Sequence, residues 1–333
     1  MALPLALTMG EPAGIGGEIA LKAWLEIRDD LPPFYLIDDP DRLASLARRL
    51  DWPVPIQPVD APDRAPSVFA GALPVVPIDT AIRAQPGHPD PTDAPAILGA
   101  IQTAVRDVRN GRAAALITNP IQKDSLYRAG FHYPGHTEYL AELAGAGAVP
   151  IMMLVCPGLR VVPVTIHLPL RRAIESLSSA AIIHAGRVTE AALRCDFGIG
   201  SPILAVAGLN PHAGEVGSLG REEIEIIEPA LAELRAGGID ARGPFPPDTM
   251  FHAEARGAYN AALCMYHDQA LIPIKTIDFY GGINVTLGLP FVRTSPDHGT
   301  ALAIAGLGTA RPDSLIAALR LAAEMAARRS ASN

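Results

Sequence analysis

The sequence predicts an α/β protein with a largely parallel sheet covered on both faces, built as one large domain or as two lobes sharing a cleft. Three observations carry this. Short apolar runs recur along the chain, they alternate with longer segments of helical period, and each run is continuous rather than alternating. A strand buried on both faces reads as an unbroken Val, Ile, Leu and Ala run because neither side meets water. With 333 residues, 49% of them hydrophobic, the chain has material for a sizeable core.

The elements follow in order. "PLALTM" (4–9) predicts the first strand, "GGEIALKAWLEI" (16–27) the first helix and "FYLID" (34–38) the second strand. Residues 51–92, rich in Pro, Asp and Ala, predict a surface connection with a short strand at 73–78. A helical segment near 94–109 precedes "AAALIT" (113–118), and the helix "TEYLAELAG" (137–145) precedes "IMMLVC" (151–156) and "VVPVTIHL" (161–168). Next come the helix 178–195, the strand "ILAVAGLN" (203–210) and the helix 221–238, which Gly237-Gly238 should stop. "AALCMYH" (261–267) and "INVTLGL" (283–289) predict two more strands, and a helix near 313–329 should leave "ARRSASN" frayed.

Charge and cysteine usage exclude several classes. A net charge of −8 with no Lys or Arg run argues against a general nucleic-acid or membrane-surface binder, which needs a concentrated positive field. Cys156, Cys195 and Cys264 are far apart and form no C-x-x-C pair, which suits small core residues in a reducing cytoplasm and excludes a cysteine zinc site. The N-terminus lacks a signal-peptide pattern, and the apolar stretch 150–168 is broken by Pro157, Arg160, Pro163 and His167, so no membrane span is expected.

Of nine histidines, three share a context: His167, His212 and His267 each lie at or just past the end of an apolar strand. Ligands of an open parallel sheet gather at the carboxyl ends of its strands, and three converging imidazoles would leave open positions on a divalent metal. Each alone is more often a hydrogen-bonded strand-end residue. Lys275, Asn284 and Arg293 form a cationic, phosphate-friendly group, as an acidic protein that binds a phosphorylated metabolite requires. "GEPAGIG" (10–16) offers a tight strand-to-helix turn but not the dinucleotide fingerprint. "DHGTALAIAG" places Gly299 and Thr300 beside His298, where a nucleotide could approach backbone.

Taken together, "LTMGEPAGIG", "ITNPIQK", "PGHTEYLAE", "VTIHLPL", "GLNPHAGE", "GPFPPDT", "MYHDQALIPIK" and "GINVTLGLPFVRTSPDHGTA" closely resemble, in that order, the 4-hydroxythreonine-4-phosphate dehydrogenase (PdxA) family of vitamin B6 biosynthesis. The match runs from residue 4 to about 326, with departures only in "ITNPIQK" and at Gly17. "DHGTALAIAG" is also similar to the nucleotide loop of isocitrate and isopropylmalate dehydrogenases, whose fold the family shares. The resemblance implies two α/β/α lobes with mostly parallel sheets around a central cleft, approximately 1–125 with 285–333 on the nucleotide side and 126–284 on the metal and dimer side. It implies a homodimer with a divalent metal (zinc, magnesium or cobalt) held by His167, His212 and His267 at the subunit interface, ligands coming from both chains. It further implies substrate contacts from His136, Thr137, Lys275, Asn284 and Arg293, and NAD or NADP as hydride acceptor. The substrate would be a phosphorylated hydroxy amino acid, 4-phosphooxy-L-threonine, oxidised at C3 and then decarboxylated to 3-amino-2-oxopropyl phosphate.

A base must take the hydroxyl proton. Lys275, Asp248 and Asp268 are the candidates, with Asp268 alternatively orienting His267 and Asp248 alternatively a turn residue. Rival readings are a paralogue acting on 4-phospho-D-threonate or 4-phospho-D-erythronate, or on a dihydrodiol carboxylate. From other classes, a metal-dependent phosphohydrolase would need no NAD, and a nucleotide-binding regulatory protein would tolerate loss of the histidines.

Overall fold

The computed structural model describes residues 3–133, 135–145, 147 and 149–332, apart from the side chains of His136 and Ser332. Their strands, in chain order, are β1 (Leu5–Thr8), β2 (Phe34–Asp38), β3 (Ile56–Pro58), β4 (Leu73–Pro77), β5 (Leu116–Thr118), β6 (Ile151–Cys156), β7 (Leu159–Pro163), β8 (Ile203–Ala207), β9 (Asp240–Phe245), β10 (Ala261–Cys264), β11 (Ile283–Leu287) and β12 (Arg293–Pro296). The chain divides into two compact units, 1–150 with 289–330, and 151–288. In the first unit the helix His136–Ala144 packs on the helix Ala94–Arg109 and adds Tyr139 and Leu140 to the core around Ile97 and Ile101.

In the first unit the strand order is β3-β4-β2-β1-β5-β12, and every neighbouring pair is parallel. β1 and β2 are buried along their whole length, as continuous apolar strands between two helical layers must be. The helix Gly16–Ile27 follows β1 through the glycine turn. The helix Pro40–Arg49 follows β2 and is capped by Asp39, whose carboxylate accepts from the N–H groups of Asp41 (2.9 Å) and Arg42 (3.2 Å), with Pro40 in the first turn.

The second unit has a mixed sheet, β11-β6-β7-β10-β8-β9. β11 and β7 run antiparallel to β6, while β7, β10, β8 and β9 are mutually parallel neighbours. The antiparallel pair β6–β7 arises because Pro157-Gly158 closes a tight hairpin, with Cys156 opposite Leu159. The core of this unit joins Leu154, Val161, Ala205, Ala262, Cys264 and Ile274.

Several elements differ from expectation. β7 stops at Pro163 and β10 at Cys264, so His167 lies in a loop beyond its strand and His267 opens the helix His267–Ile277. The expected helix 221–238 is a π-helical turn, Glu223–Ile227, followed by the α-helix Glu228–Ala236. Pro229, with no N–H and a ring that crowds the preceding turn, accounts for the widening. Cys195 is exposed rather than in the core because it is the last residue of the helix Ser179–Cys195, while Cys156 and Cys264 are buried. The C-terminal helix runs to Ser332 without fraying at 327. No helix among the described residues is long and apolar enough to cross a membrane.

Candidate active site

Sheet register brings two of the three singled-out histidines together. β7 and β10 are parallel neighbours, and the chains stay joined past their ends: Val164 N–H donates to Cys264 O (2.8 Å), and Thr165 donates to Met265 O from its backbone N–H (3.3 Å) and its hydroxyl (2.8 Å). His167 and His267 consequently face each other with ring centroids 5.7 Å apart. They line a cavity of about 210 Å³ with Thr165, Leu168, Leu170, Ala173, Tyr266 and Asp268. His167 has φ +51°, a left-handed backbone that a non-glycine residue adopts at a price in strain, and such strain concentrates at functional sites.

Asp268 supplies orientation. Its Oδ1 lies 2.7 Å from His267 Nδ1, which leaves Nε2 as the ring nitrogen that can meet a ligand. That contact fits the orienting role better than the role of base, because the carboxylate is engaged and exposed. Gln269 braces the same helix start: its Oε1 accepts from Met265 N–H (2.6 Å) and its Nε2 donates to Gly208 O (2.8 Å).

His212 sits after β8 in the turn Pro211–Gly217, where six successive residues, His212 to Gly217, have positive φ. A buried carboxylate underlies this turn. Glu223 Oε1 accepts from the backbone N–H of Leu209 and Asn210 (2.7 Å each), and its Oε2 accepts from Asn210 Nδ2 (2.9 Å). Among the described residues no three His, Cys, Asp or Glu side chains of one chain group closely enough to hold a metal ion, so His167 and His267 converge and His212 does not join them in a single chain.

The remaining predicted residues of this unit lie on neighbouring elements. Lys275 is half-buried on the helix His267–Ile277, its ammonium 5.4 Å from the Phe279 ring centroid. Asn284 is half-buried on β11, paired in register with Leu154. Asp248 is exposed in the short 3-10 turn Pro247–Thr249, which packs against the turn that carries His212.

The first unit holds the other candidates. Arg293 opens β12 beside β5, and there its side chain is 3% exposed. Its Nε and Nη2 donate to Thr118 Oγ1 at 3.2 and 2.6 Å. Burial pulls the guanidinium pKa down to about 10, yet it remains a cation at neutral pH and thus suited to an anion. Thr300 is also buried. Its carbonyl accepts from Ile15 N–H (3.0 Å), and a Cβ at Gly14 would lie 2.8 Å from the same oxygen, so the "GEPAGIG" turn and the "DHGTA" segment are in direct contact. Gly299 faces open space where a Cβ would stand, as close approach of a ligand to backbone requires. Thr137 is the second residue of the helix His136–Ala144, and the His136 side chain lies outside the described residues.

Of the buried glutamates among the described residues, Glu18 and Glu223 fasten loops, and neither was singled out from sequence. Glu18 accepts from Gly306 N–H (2.8 Å) and Ala310 N–H (3.0 Å), fastening the "AGLGTA" loop to the first helix. Glu223 fastens the His212 turn. Glu18 left a signal, a carboxylate inside the apolar helical stretch 16–25, whereas Glu223 stands among other acidic residues in "REEIEIIE" and left none.

The profile of the pyridoxal phosphate biosynthetic protein PdxA matches residues 30–322. The chain is 56% identical to the 4-hydroxythreonine-4-phosphate dehydrogenase of Bradyrhizobium diazoefficiens, over 98% of both chains, and 54% identical to that of Caulobacter vibrioides over the same share. The crystal structure of the Klebsiella pneumoniae 4-hydroxythreonine-4-phosphate dehydrogenase superposes with a TM-score of 0.87 at 37% identity, covering 98% of this chain and 100% of that one. With its histidine pair at the ends of two parallel strands and its buried arginine on a third, the chain belongs to the PdxA family.

Proposed function

We propose that this chain is a 4-hydroxythreonine-4-phosphate dehydrogenase. It oxidises 4-phosphooxy-L-threonine to 2-amino-3-oxo-4-phosphooxybutanoate, which decarboxylates to 3-amino-2-oxopropyl phosphate on the way to pyridoxal 5'-phosphate. NAD or NADP takes the hydride. The observation that carries the reading is the facing pair His167 and His267 on one cavity, in a chain that matches enzymes of this name from end to end.

The donor set fits a divalent ion such as zinc, cobalt or magnesium. Two imidazoles converge, one has its ring orientation set by a carboxylate on Nδ1, and the strained His167 backbone points to a site under functional demand. His212 of a second copy would complete the set, in a homodimer whose interface contains the site. Apolar side chains exposed near these residues, Leu168, Leu170, Val216, Leu219 and Ile272, support an interface there. When bound, the ion lowers the pKa of the substrate's C3 hydroxyl and stabilises the enolate left by decarboxylation.

The chain's own groups do the rest. In the first unit Arg293 is the side chain for the phosphate and His136 and Thr137 are further substrate contacts, and in the second unit Lys275 and Asn284 are the substrate contacts. Lys275 is the favoured base for the hydroxyl proton, since Asp268 is engaged with His267 and Asp248 is exposed on its turn. Gly299 and Thr300 meet the nicotinamide nucleotide. The cysteines are free thiols, which suits the cytoplasm.

The test is reduced-nicotinamide formation by the purified protein with NAD and a divalent metal, comparing 4-phosphooxy-L-threonine with 4-phospho-D-threonate. Preference for the L-compound, abolished by chelation, is the expected result. Preference for the D-compound would keep the chemistry and overturn the substrate; phosphate release without NAD would overturn the dehydrogenase.

A further inference from the structure

We propose that Glu223 is the positioning residue for His212, holding a left-handed turn that the local sequence would not adopt alone. This inference rests on the reading of His212 as a metal ligand. His212, Ala213, Gly214, Glu215 and Val216 have φ of +52, +50, +78, +43 and +57°. Four of the five carry a Cβ, and residues with one ordinarily visit this region singly because each such placement strains the backbone against its own carbonyl. Val216 is β-branched and 97% exposed, so packing of its own side chain does not hold the turn. Something outside the turn must.

The side chain placed to do so is Glu223, 2% exposed, at the first position of the π-helical turn Glu223–Ile227. Its two oxygens take three hydrogen bonds from the segment that leads into the turn: Leu209 N–H, Asn210 N–H and Asn210 Nδ2. Glu222 Oε2 accepts from Asn210 Nδ2 as well (2.7 Å), so Asn210 is clamped between two carboxylates. The carboxylate also fills the space beneath the turn. A Cβ on Gly214 would lie 2.6 Å from Glu223 Oε2, and one on Gly208 would lie 3.1 Å from Oε1. The turn then closes on itself through Ala213 N–H to Asn210 O (3.1 Å) and Leu219 N–H to Gly214 O (3.1 Å).

A π-turn suits this task. It shifts the phase of the helix by one residue, and here the shift begins at the residue that reaches back under the loop. Glu223 thus acts on a bound ion only through the backbone that carries His212. Partners that orient metal ligands from behind are typically worth 10- to 100-fold in metal affinity.

The experiment is Co²⁺ binding to the purified full-length protein, followed by the visible cobalt spectrum and by equilibrium dialysis. The parent, Glu223→Ala, Glu223→Gln and His212→Ala are compared, with far-ultraviolet circular dichroism of each metal-free protein. We expect Glu223→Ala to weaken Co²⁺ at least 10-fold and alter the spectrum while the circular dichroism stays unchanged. Glu223→Gln should recover part of the affinity, since its amide oxygen can still accept from Leu209 and Asn210. Should Glu223→Ala fail to fold, Glu223→Gln decides: parental affinity and spectrum in that folded variant would overturn the inference. Loss of Co²⁺ in His212→Ala with none in either Glu223 variant would overturn the positioning role and spare the metal reading. Undiminished Co²⁺ binding by His212→Ala would overturn both.

Discussion

Burial lowers the Arg293 pKa to about 10 because desolvation disfavours its charge, so at neutral pH the fold retains a cation where an apolar side chain of similar volume would pack with less penalty. Retaining it makes sense if an anion is the partner. We expect Arg293→Met to raise the melting temperature of the ligand-free protein and to raise KM for the phosphorylated substrate about 10- to 100-fold, the equivalent of charge-assisted hydrogen bonds of about 1.5–3 kcal/mol. Thermal melts and initial rates measure the two effects, and an unchanged KM would remove Arg293 from the phosphate site. Glu11 presents the acidic counterpart. Burial raises its pKa, Asp93 adds to the rise, and the Ala13 N–H and Arg42 oppose it. Its Oε2 has no hydrogen-bond partner among the described residues. The folded state therefore holds the proton to higher pH than the unfolded chain does. Stability is lost as pH rises from the ordinary carboxylate range through the raised folded value. Glu11→Gln keeps an oxygen for Ala13 N–H and removes the charge, so its stability relative to the parent should improve as pH rises above the ordinary carboxylate range. A difference in melting temperature that does not change with pH would sink this account.

At the scale of elements, what could be read from sequence followed from how each element meets water. β2, β6 and the helix Gly16–Ile27 have the expected bounds because continuous burial leaves a continuous apolar run. β9 and β12 were not expected: "DARGPF" and "RTSP" are polar, and their backbone pairing is set by neighbours distant in sequence. The helix His267–Ile277 was hidden by Pro273 in its interior, and the helix Pro40–Arg49 by its strongly charged outer face. The same division runs through the site. His167 and His267 stand out as polar residues after apolar strands, whereas what Glu18 and Glu223 hold depends on loops they reach across space. Contact between the glycine turn and the Thr300 segment is another such feature, and it can be tested. A Cβ at Gly14 would meet Thr300 O at 2.8 Å and Thr300 Cβ at 3.1 Å, while Ile15 N–H holds that same carbonyl at 3.0 Å. Gly14→Ala should cost about 1–3 kcal/mol in denaturant unfolding, as overpacking at a rigid contact does. It should also weaken NADH binding measured by fluorescence titration. Parental values for both would mean that the two segments part freely.

For the whole molecule, the decisive question is whether one chain is a complete enzyme. On the proposed reading of a three-histidine metal site, it is not. His167 and His267 converge without His212, no three donors group within a single chain among the described residues, and Leu170, Val216 and Ile272 are exposed at 57, 97 and 65%. Large apolar side chains at such exposure suit a surface that another protein covers. In a two-fold interface every substitution occurs twice, so one buried carboxylate per chain becomes two, each desolvated and with no cation prepared for it. If the proposed homodimer uses this helix, Ile272→Glu should shift the protein from dimer to monomer in sedimentation velocity, with bound metal and dehydrogenase activity falling together and circular dichroism preserved. The substitution lies on the outer face of the helix His267–Ile277, away from its buried residues Ala270 and Ile274, so the fold itself should survive. A monomer that keeps both metal and turnover would show that a single chain assembles the site; an intact dimer would move the interface off this helix and leave the exposure of Ile272 without that explanation.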